Sequence, residues 1–179
     1  NNLDIFEGKL SNLDKITGII NDYKVDIVIH LASNLIPNSN KTDFYKELND
    51  IVLPTFELSH TLAKKEIKLI FFSSAGTIYG NHSDLLSEKT HLNPINNYGF
   101  AKLLIEENIL FNSRCKRLPY VIIRPSNVYG NLLRKSDQGF IEVAVEKILN
   151  EEPIEIWGSG EQKKDYLHVS DICHITNEI

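Results

Sequence analysis

Three short runs of apolar, mostly β-branched residues are spaced along the chain and separated by longer segments. They are Val25–Leu31, Ile67–Phe72 and Tyr120–Ile123. Each run is almost continuously apolar, as expected of a strand that is buried on both faces of a sheet. Strands that alternate with helices are typical of a parallel α/β sheet covered on both sides. The sequence therefore predicts an α/β fold with a doubly wound parallel sheet.

The segments between these runs favour helices. The predicted helices are Asn12–Tyr23, Asp43–Lys65, Tyr98–Asn112 and Phe140–Leu149. Pro54 should kink or break the second of them, because proline has no backbone N–H to donate. Beyond residue 135 the pattern changes, with a short strand predicted over Pro153–Trp157 and a turn at Gly158–Gly160. We expect residues 1–135 to form the main domain and residues 136–179 to begin a smaller lobe.

Composition excludes several classes of protein. The net charge of −5 and the pI near 5.7 argue against nucleic-acid binding, which usually needs a basic face. No run reaches the roughly 20 apolar residues of a membrane span, and the first residues do not resemble a signal peptide. Cys115 and Cys173 suggest free thiols in a reducing compartment, and no histidine has metal-ligand spacing. We expect a cytoplasmic protein without a metal site.

The residues that follow the three strands are small or polar. They are His30–Ser33, Ser73–Gly80 and Arg124–Gly130. In parallel sheets, ligands bind beyond the carboxyl ends of the strands. Hydroxyl groups there can share a proton with a substrate, although a serine-rich turn can equally bond its own backbone.

Tyr98 and Lys102 are four residues apart near the start of a predicted helix, so they share one face. A tyrosine has a pKa of about 10, and a nearby ammonium group favours its ionised form. Such a pair can supply a base near neutral pH. By itself, the spacing more often describes a surface tyrosine above a solvated lysine.

Five segments in order carry a more specific pattern. They are Asp26–Ala32, Ser73–Gly80, Tyr98–Lys102, Arg124–Gly130 and Asp165–Asp171. Together they resemble the nucleotide-sugar epimerase and dehydratase branch of the extended short-chain dehydrogenase/reductase family. The resemblance implies a Rossmann-type sheet that binds NAD, followed by a substrate-binding lobe.

The resemblance also implies roles for individual residues. Tyr98 is the base that takes the proton of the substrate hydroxyl, and Lys102 lowers the tyrosine pKa and binds the nicotinamide ribose. Further residues that contact the dinucleotide are Leu31, Ala32, Ser33, Ser73 and Ser126. Asn127 and Lys164 are implied to contact the sugar nucleotide, with Lys164 standing where the family has an arginine.

Two departures from the family pattern affect these expectations. Ala75 occupies the position of the family's catalytic serine or threonine, and either Thr77 or Ser74 can replace its hydroxyl. The glycine-rich turn that binds the pyrophosphate is absent, and the chain contains no methionine. We therefore expect a piece of a longer protein that lacks the N-terminal unit and is inactive by itself.

The expected reaction follows from the residues around Thr77. Related dehydratases carry an acidic pair there, whereas this chain has Gly76 and Thr77. The resemblance therefore implies an NAD-dependent 4-epimerase, similar to UDP-glucose 4-epimerase, acting on a UDP-linked sugar. The alternatives are an NAD(P)-dependent nucleotide-sugar reductase or dehydratase, and a non-catalytic or inactive dinucleotide-binding relative. A homodimer through the helices around Asp43–Lys65 and Tyr98–Asn112 is also consistent with the sequence.

Overall fold

The computed structural model of the chain describes residues 3–36, 39–82, 85–130, 139–156 and 158–179. The chain divides into two compact units, Asn1–Arg124 and Pro125–Ile179. None of the helices in the described ranges has the length and apolar character that crossing a membrane requires.

The first unit is a three-stranded parallel sheet with helices packed against it. Its elements are α1 (Leu13–Asp22), β1 (Ile27–His30), α2 (Lys41–Glu47), a π-helical turn (Leu48–Val52), α3 (Leu53–Lys65), β2 (Lys68–Phe72), α4 (Ala75–Ile78), α5 (Asn97–Lys116) and β3 (Tyr120–Ile123). The strand order is β1-β2-β3, and both pairings are parallel. The predicted parallel α/β sheet is confirmed, and the short helix α4 is an addition to it.

The central strand β2 is the most deeply buried element. Leu69, Ile70 and Phe71 are each at most 1% exposed. Leu69 and Phe71 belong to a hydrophobic cluster that includes Leu62 of α3 and Ile105 of α5. Removing these side chains from water supplies the main driving force for packing the two helices onto the sheet.

The first strand differs from the prediction of a strand buried on both faces. Ile27 and Ile29 are 46% and 48% exposed, although His30 is buried. Because β1 is an edge strand among the described residues, and alternate side chains point to opposite faces, one of its faces is only partly covered.

Pro54 does not break the second predicted helix. It lies in the first turn of α3, directly after the π-helical turn, where the Leu53 N–H bonds to the Leu48 carbonyl five residues earlier. Thr55 Oγ1 donates to the Ile51 carbonyl oxygen at 2.6 Å. The wider turn and this side-chain bond allow the helix to pass the proline, which cannot donate its own backbone bond.

The second unit contains β4 (Asn127–Tyr129), α6 (Phe140–Leu149), β5 (Tyr166–His168) and α7 (Val169–Glu178). Strands β4 and β5 form a parallel pair, with Val128 opposite Leu167. Helix α6 was predicted, whereas β4, β5 and α7 were not. The predicted strand over Pro153–Trp157 is wrong for residues 153–156, which form no strand, and Trp157 lies outside the described residues. Ile154 and Ile156 are exposed there, and no described strand pairs with this segment.

Candidate active site

The first turn of α5 places Tyr98 beside the carboxyl end of β2. The Asn96 side chain caps this helix by accepting a hydrogen bond from the Gly99 N–H at 2.8 Å. Such a cap satisfies a backbone donor that the helix itself leaves unpaired. The helix therefore begins at a defined residue, which fixes the direction in which Tyr98 leaves the backbone.

Ser74 immediately follows β2, and its hydroxyl lies near enough to the Tyr98 phenol to affect the phenol's pKa. Burial raises the pKa of the Tyr98 phenol, the Ser74 hydroxyl lowers it, and the negative charge of Glu47 raises it. The net direction is upward from the usual value of 10. The chain by itself thus keeps the phenol protonated, and the lowering that the resemblance implies stays a prediction for the loaded site.

Lys102 lies one turn further along α5 and is only 4% exposed. Its Nζ donates to the carbonyl oxygen of Phe72 at 3.0 Å and lies 5.5 Å from the centre of the Tyr98 ring. Burial lowers the Lys102 pKa to about 8, while Glu47 and Glu106 act in the opposite direction. The ammonium group is therefore held in the interior, next to the tyrosine and the end of β2.

Three hydroxyl-bearing residues follow β2, and they differ in their partners. Ser74 lies near Tyr98 and lowers its pKa, whereas Ser73 Oγ and Thr77 Oγ1 are buried and have no hydrogen-bond partner among the described residues. Ala75 begins α4 and has no hydroxyl to offer. A buried hydroxyl without a partner is costly, so such groups usually have a ligand or water to bind.

The end of β1 offers an apolar surface together with a polar group. Leu31 is 64% exposed. Ala32 is also exposed, while the Ser33 hydroxyl donates to Glu47 at 2.8 Å. Exposed apolar side chains at the end of a strand can pack against the flat rings of a ligand. The residues of this edge are thus chemically suited to a dinucleotide.

The imidazole ring of His30, the last residue of β1, is buried, and its hydrogen bonds specify one tautomer. The Thr55 hydroxyl has a single hydrogen, which it gives to Ile51, so it accepts from Nε2–H of His30 at 2.7 Å. The Nδ1 atom then carries a lone pair, and it is buried without a partner among the described residues. Burial and the charge of Lys102 lower the pKa of His30 to about 4, so the imidazole is neutral near pH 7.

The remaining predicted residues belong to the second unit. Asn127 begins β4, and its Nδ2 donates to the Asp165 carbonyl oxygen at 2.8 Å. Ser126 is half-buried, and Lys164 is exposed. In the part of the chain that the structure describes, no group of three or more His, Cys, Asp or Glu side chains could hold a metal ion.

Sequence reasoning missed three charged residues around Lys102. Glu47 is 2% exposed and Glu106 is fully buried. Glu106 accepts two hydrogen bonds from the Arg124 guanidinium, one of 3.0 Å and one of 2.6 Å. Glu106 follows Lys102 by four residues on α5, so helical spacing could have indicated it. No local pattern indicates Glu47, because only the packing of α2 buries it.

Comparison with known proteins places this geometry in a family. Residues 1–176 match the NAD dependent epimerase/dehydratase family. The chain belongs to that family. The resemblance seen in the sequence is therefore confirmed, and so is NAD as the cofactor on which the family depends.

The curated relatives act on nucleotide sugars, according to their names. A Methanocaldococcus jannaschii protein provisionally named UDP-glucose 4-epimerase is 36% identical over 160 residues, which are 86% of this chain and 52% of the relative. The dTDP-4-dehydro-6-deoxyglucose reductase of Escherichia coli is 33% identical over 156 residues, covering 86% of this chain and 49% of that protein. The chain thus spans about half the length of these two relatives.

Solved structures of the family share the fold. The UDP-glucose 4-epimerase of Thermotoga maritima, solved with UDP-glucose, has a TM-score of 0.86 and 26% identity. The match covers 94% of this chain and 56% of that one. The Rossmann-type fold that the sequence implied is therefore confirmed.

Proposed function

We propose that the chain is the catalytic part of an NAD-dependent nucleotide-sugar 4-epimerase. The observation that carries the proposal is the arrangement of Ser74, Tyr98 and Lys102. A phenol lies near a serine hydroxyl that follows β2 and lowers the phenol's pKa, and a buried ammonium lies one turn away, 5.5 Å from the centre of the phenol ring. Geometry of this kind suits the removal of a proton from a sugar hydroxyl.

The chain's residues have distinct tasks in this proposal. Tyr98 takes the proton from the C4 hydroxyl and later returns it, and Ser74 shares a hydrogen bond with it during both steps. Lys102 lowers the free energy of the phenolate and binds the nicotinamide ribose. When bound, NAD supplies the hydride acceptor and donor for C4. Rotation of the 4-keto sugar between the two steps exposes its other face, so the product is the epimer.

The remaining predicted site residues keep the roles that the family resemblance implies. Leu31, Ala32, Ser33 and Ser73 of the first unit, with Ser126, are proposed to contact NAD. Asn127 and Lys164 are proposed to contact the nucleotide sugar, for which a UDP-linked hexose is our choice because UDP-glucose epimerases are among the relatives. Lys164 offers one point charge to a phosphate rather than the two-pronged contact of an arginine.

One observation favours a second candidate, a nucleotide-sugar reductase. A named reductase matches this chain almost as well as the named epimerase, at 33% against 36% identity. The same tyrosine would then give its proton to a ketone instead of removing one from an alcohol. The two candidates differ in whether the cofactor is consumed.

We also propose a cytoplasmic homodimer. Cys115 and Cys173 are both exposed free thiols, which suits a reducing compartment. Tyr45 of α2 together with Phe100 and Phe111 of α5 are large exposed side chains on the two helices that could form the interface. Sedimentation of the full-length gene product tests this proposal.

The test of the reaction uses the full-length gene product with UDP-glucose and NAD. Proton NMR should show the anomeric signal of UDP-galactose, with no net change in NADH absorbance. Tyr98→Phe should reduce kcat by about 10²–10⁴-fold, the usual contribution of a general base. Tyr23→Phe, at an exposed tyrosine that follows α1, is the matched control. Reduction of a 4-keto nucleotide sugar at the expense of NADPH, without epimerisation, would favour the reductase instead.

A further inference from the structure

Glu47 is a buried acidic residue that the proposed reaction does not use. It ends α2, is 2% exposed, and belongs to a helix that packs against α5. The rings of Phe44 on α2 and Phe100 on α5 lie 5.7 Å apart at this contact. A carboxyl group in such a position costs free energy unless other groups compensate it.

Both carboxylate oxygens of Glu47 have donors at the end of β1. Oε1 accepts from the Ser33 hydroxyl, and Oε2 accepts from the Asn34 backbone N–H, both at 2.8 Å. Two accepted hydrogen bonds fit an ionised carboxylate. They also tie the segment that follows β1 to α2, so the backbone at Ser33 is held by a side chain from a different element.

Lys102 lies at the same edge of the sheet as this anion, because β1 and β2 run parallel with His30 opposite Phe71, and Lys102 bonds to Phe72, the last residue of β2. Glu47 has the largest effect among the charges that act on Lys102, and its effect extends to Tyr98. The described contacts include no direct ion pair between the two residues, so the attraction acts through space between two buried side chains. Charge interactions of buried groups are screened less than those at the surface.

We propose that Glu47 is a positioning residue of the candidate site: its buried carboxylate balances the charge of the Lys102 ammonium and anchors the Ser33–Asn34 segment. Lys102 would otherwise be a cation held in the interior by one carbonyl oxygen of β2. Balancing it lets the ammonium stay charged next to Tyr98. The inference deepens the proposed function, and its consequence for the reaction rests on that proposal.

Groups other than Glu47 also surround Lys102, and the effect of Glu47 has to be compared with theirs. On α5 these are Tyr98 and Glu106, and the charge of Glu106 is already matched by Arg124 from the end of β3. On β1, His30 is neutral and therefore adds no charge. Two acidic residues act on Lys102, and Glu106 already has Arg124 as its partner. Of these two, Glu47 is the one without a direct contact to a cation among the described residues.

The test is an NMR titration of the ligand-free protein, so it does not depend on activity. Lysine labelled with ¹³C at Cε reports the ionisation of Lys102, whose signal is assigned by its loss in Lys102→Met. We expect Glu47→Gln to move the Lys102 titration below its wild-type midpoint near pH 8. Glu107→Gln, at an exposed residue of α5, should leave it in place. An unchanged midpoint in a folded Glu47→Gln protein overturns the proposal.

A second measurement needs no change at Glu47, in case that variant does not fold. The Asn34 amide signal reports on the carboxylate to which it donates. In the wild type it should show an inflection near pH 8 together with Lys102, and the inflection should vanish in Lys102→Met. An Asn34 signal that does not respond between pH 7 and 9 would contradict the coupling. If Glu47→Gln shifts the Lys102 titration but the full-length protein shows no epimerase activity, the positioning role of Glu47 is supported and the proposed function is rejected.

Discussion

The Lys102 ammonium donates to the Phe72 carbonyl oxygen at 3.0 Å, which joins helix α5 to the last residue of strand β2. The same ammonium lies 5.0 Å from the centre of the Phe71 ring, within the distance of a cation–π contact. The bond places a positive charge where the hydroxyl-bearing segment begins.

Lys102 should make stability depend on pH. Its folded-state pKa of about 8 lies below the ordinary 10.5, so its charged form is disfavoured by folding. The resulting penalty is fully present below pH 8 and disappears as the pH rises towards 10.5. The free energy of unfolding of the wild type should therefore rise relative to that of Lys102→Met across this window, by on the order of 1 kcal/mol per unit of pKa difference. Urea denaturation of both proteins measures it, and parallel pH profiles would show that Lys102 does not contribute.

Ser74 and Thr77 should differ in their effect on activity. Ser74→Ala removes the hydroxyl that lowers the Tyr98 pKa, so the ascending acidic limb of kcat/KM, on which the base ionises, should move to higher pH and kcat should fall. Thr77→Val keeps the side-chain shape and removes a hydroxyl that has no partner among the described residues. A larger loss of kcat in Thr77→Val than in Ser74→Ala would assign the catalytic hydroxyl to Thr77.

The buried ion pair of Glu106 and Arg124 should be costly to break from one side. Its bonds are 3.0 and 2.6 Å long, and Arg124 Nη1 also donates to the Tyr79 hydroxyl at 2.9 Å. Glu106→Gln leaves the guanidinium without its counter-charge, but the Arg124 side chain is 17% exposed and water can partly solvate it, so the change should cost about 1–3 kcal/mol of stability. Glu107→Gln on the same helix serves as the control and should change stability by less than about 0.5 kcal/mol.

A double variant tests whether the stability lost on replacing Glu106 comes from leaving the Arg124 charge unpaired. Glu106→Leu combined with Arg124→Met removes both charges and should lose less stability than the single change Glu106→Leu. Thermal unfolding of the four proteins gives the interaction free energy. Additive losses would mean that the two side chains act independently.

Gly99 should not tolerate a side chain. A Cβ atom at this residue would lie 2.5 Å from the Thr77 carbonyl oxygen and 3.0 Å from Pro94 Cβ. Gly99→Ala should therefore push α5 away from α4, at a cost of roughly 1–3 kcal/mol. Gly18→Ala in α1 meets no atom within 4 Å and should instead stabilise the helix by about 0.5–1 kcal/mol. Calorimetry on the two variants should give melting temperatures that change in opposite directions.

The sequence predicted the parallel sheet because each strand is a compact apolar run, which local composition reveals. It predicted α5 and the pair Tyr98–Lys102 because helical spacing is a local property. The segment that contains β5 illustrates the opposite case. Tyr166–His168 pairs with Asn127–Tyr129, nearly 40 residues earlier in the chain, and neither stretch is apolar enough to indicate a strand. The burial of Glu47 likewise depends on how α2 packs, which no pattern in Lys41–Glu47 specifies.

The π-helical turn at Leu48–Val52 joins the two helices that flank it. The wide turn takes up one extra residue, so a deletion within it would restore regular α-helical winding while the helices on either side keep their faces. Its main effect should fall on Pro54, which would lose the wide turn that accommodates it. A deletion within α2 itself would instead rotate the residues on its two sides by about 100° relative to each other, so the helix tolerates a change of length at the wide turn and not in the segment that carries Glu47.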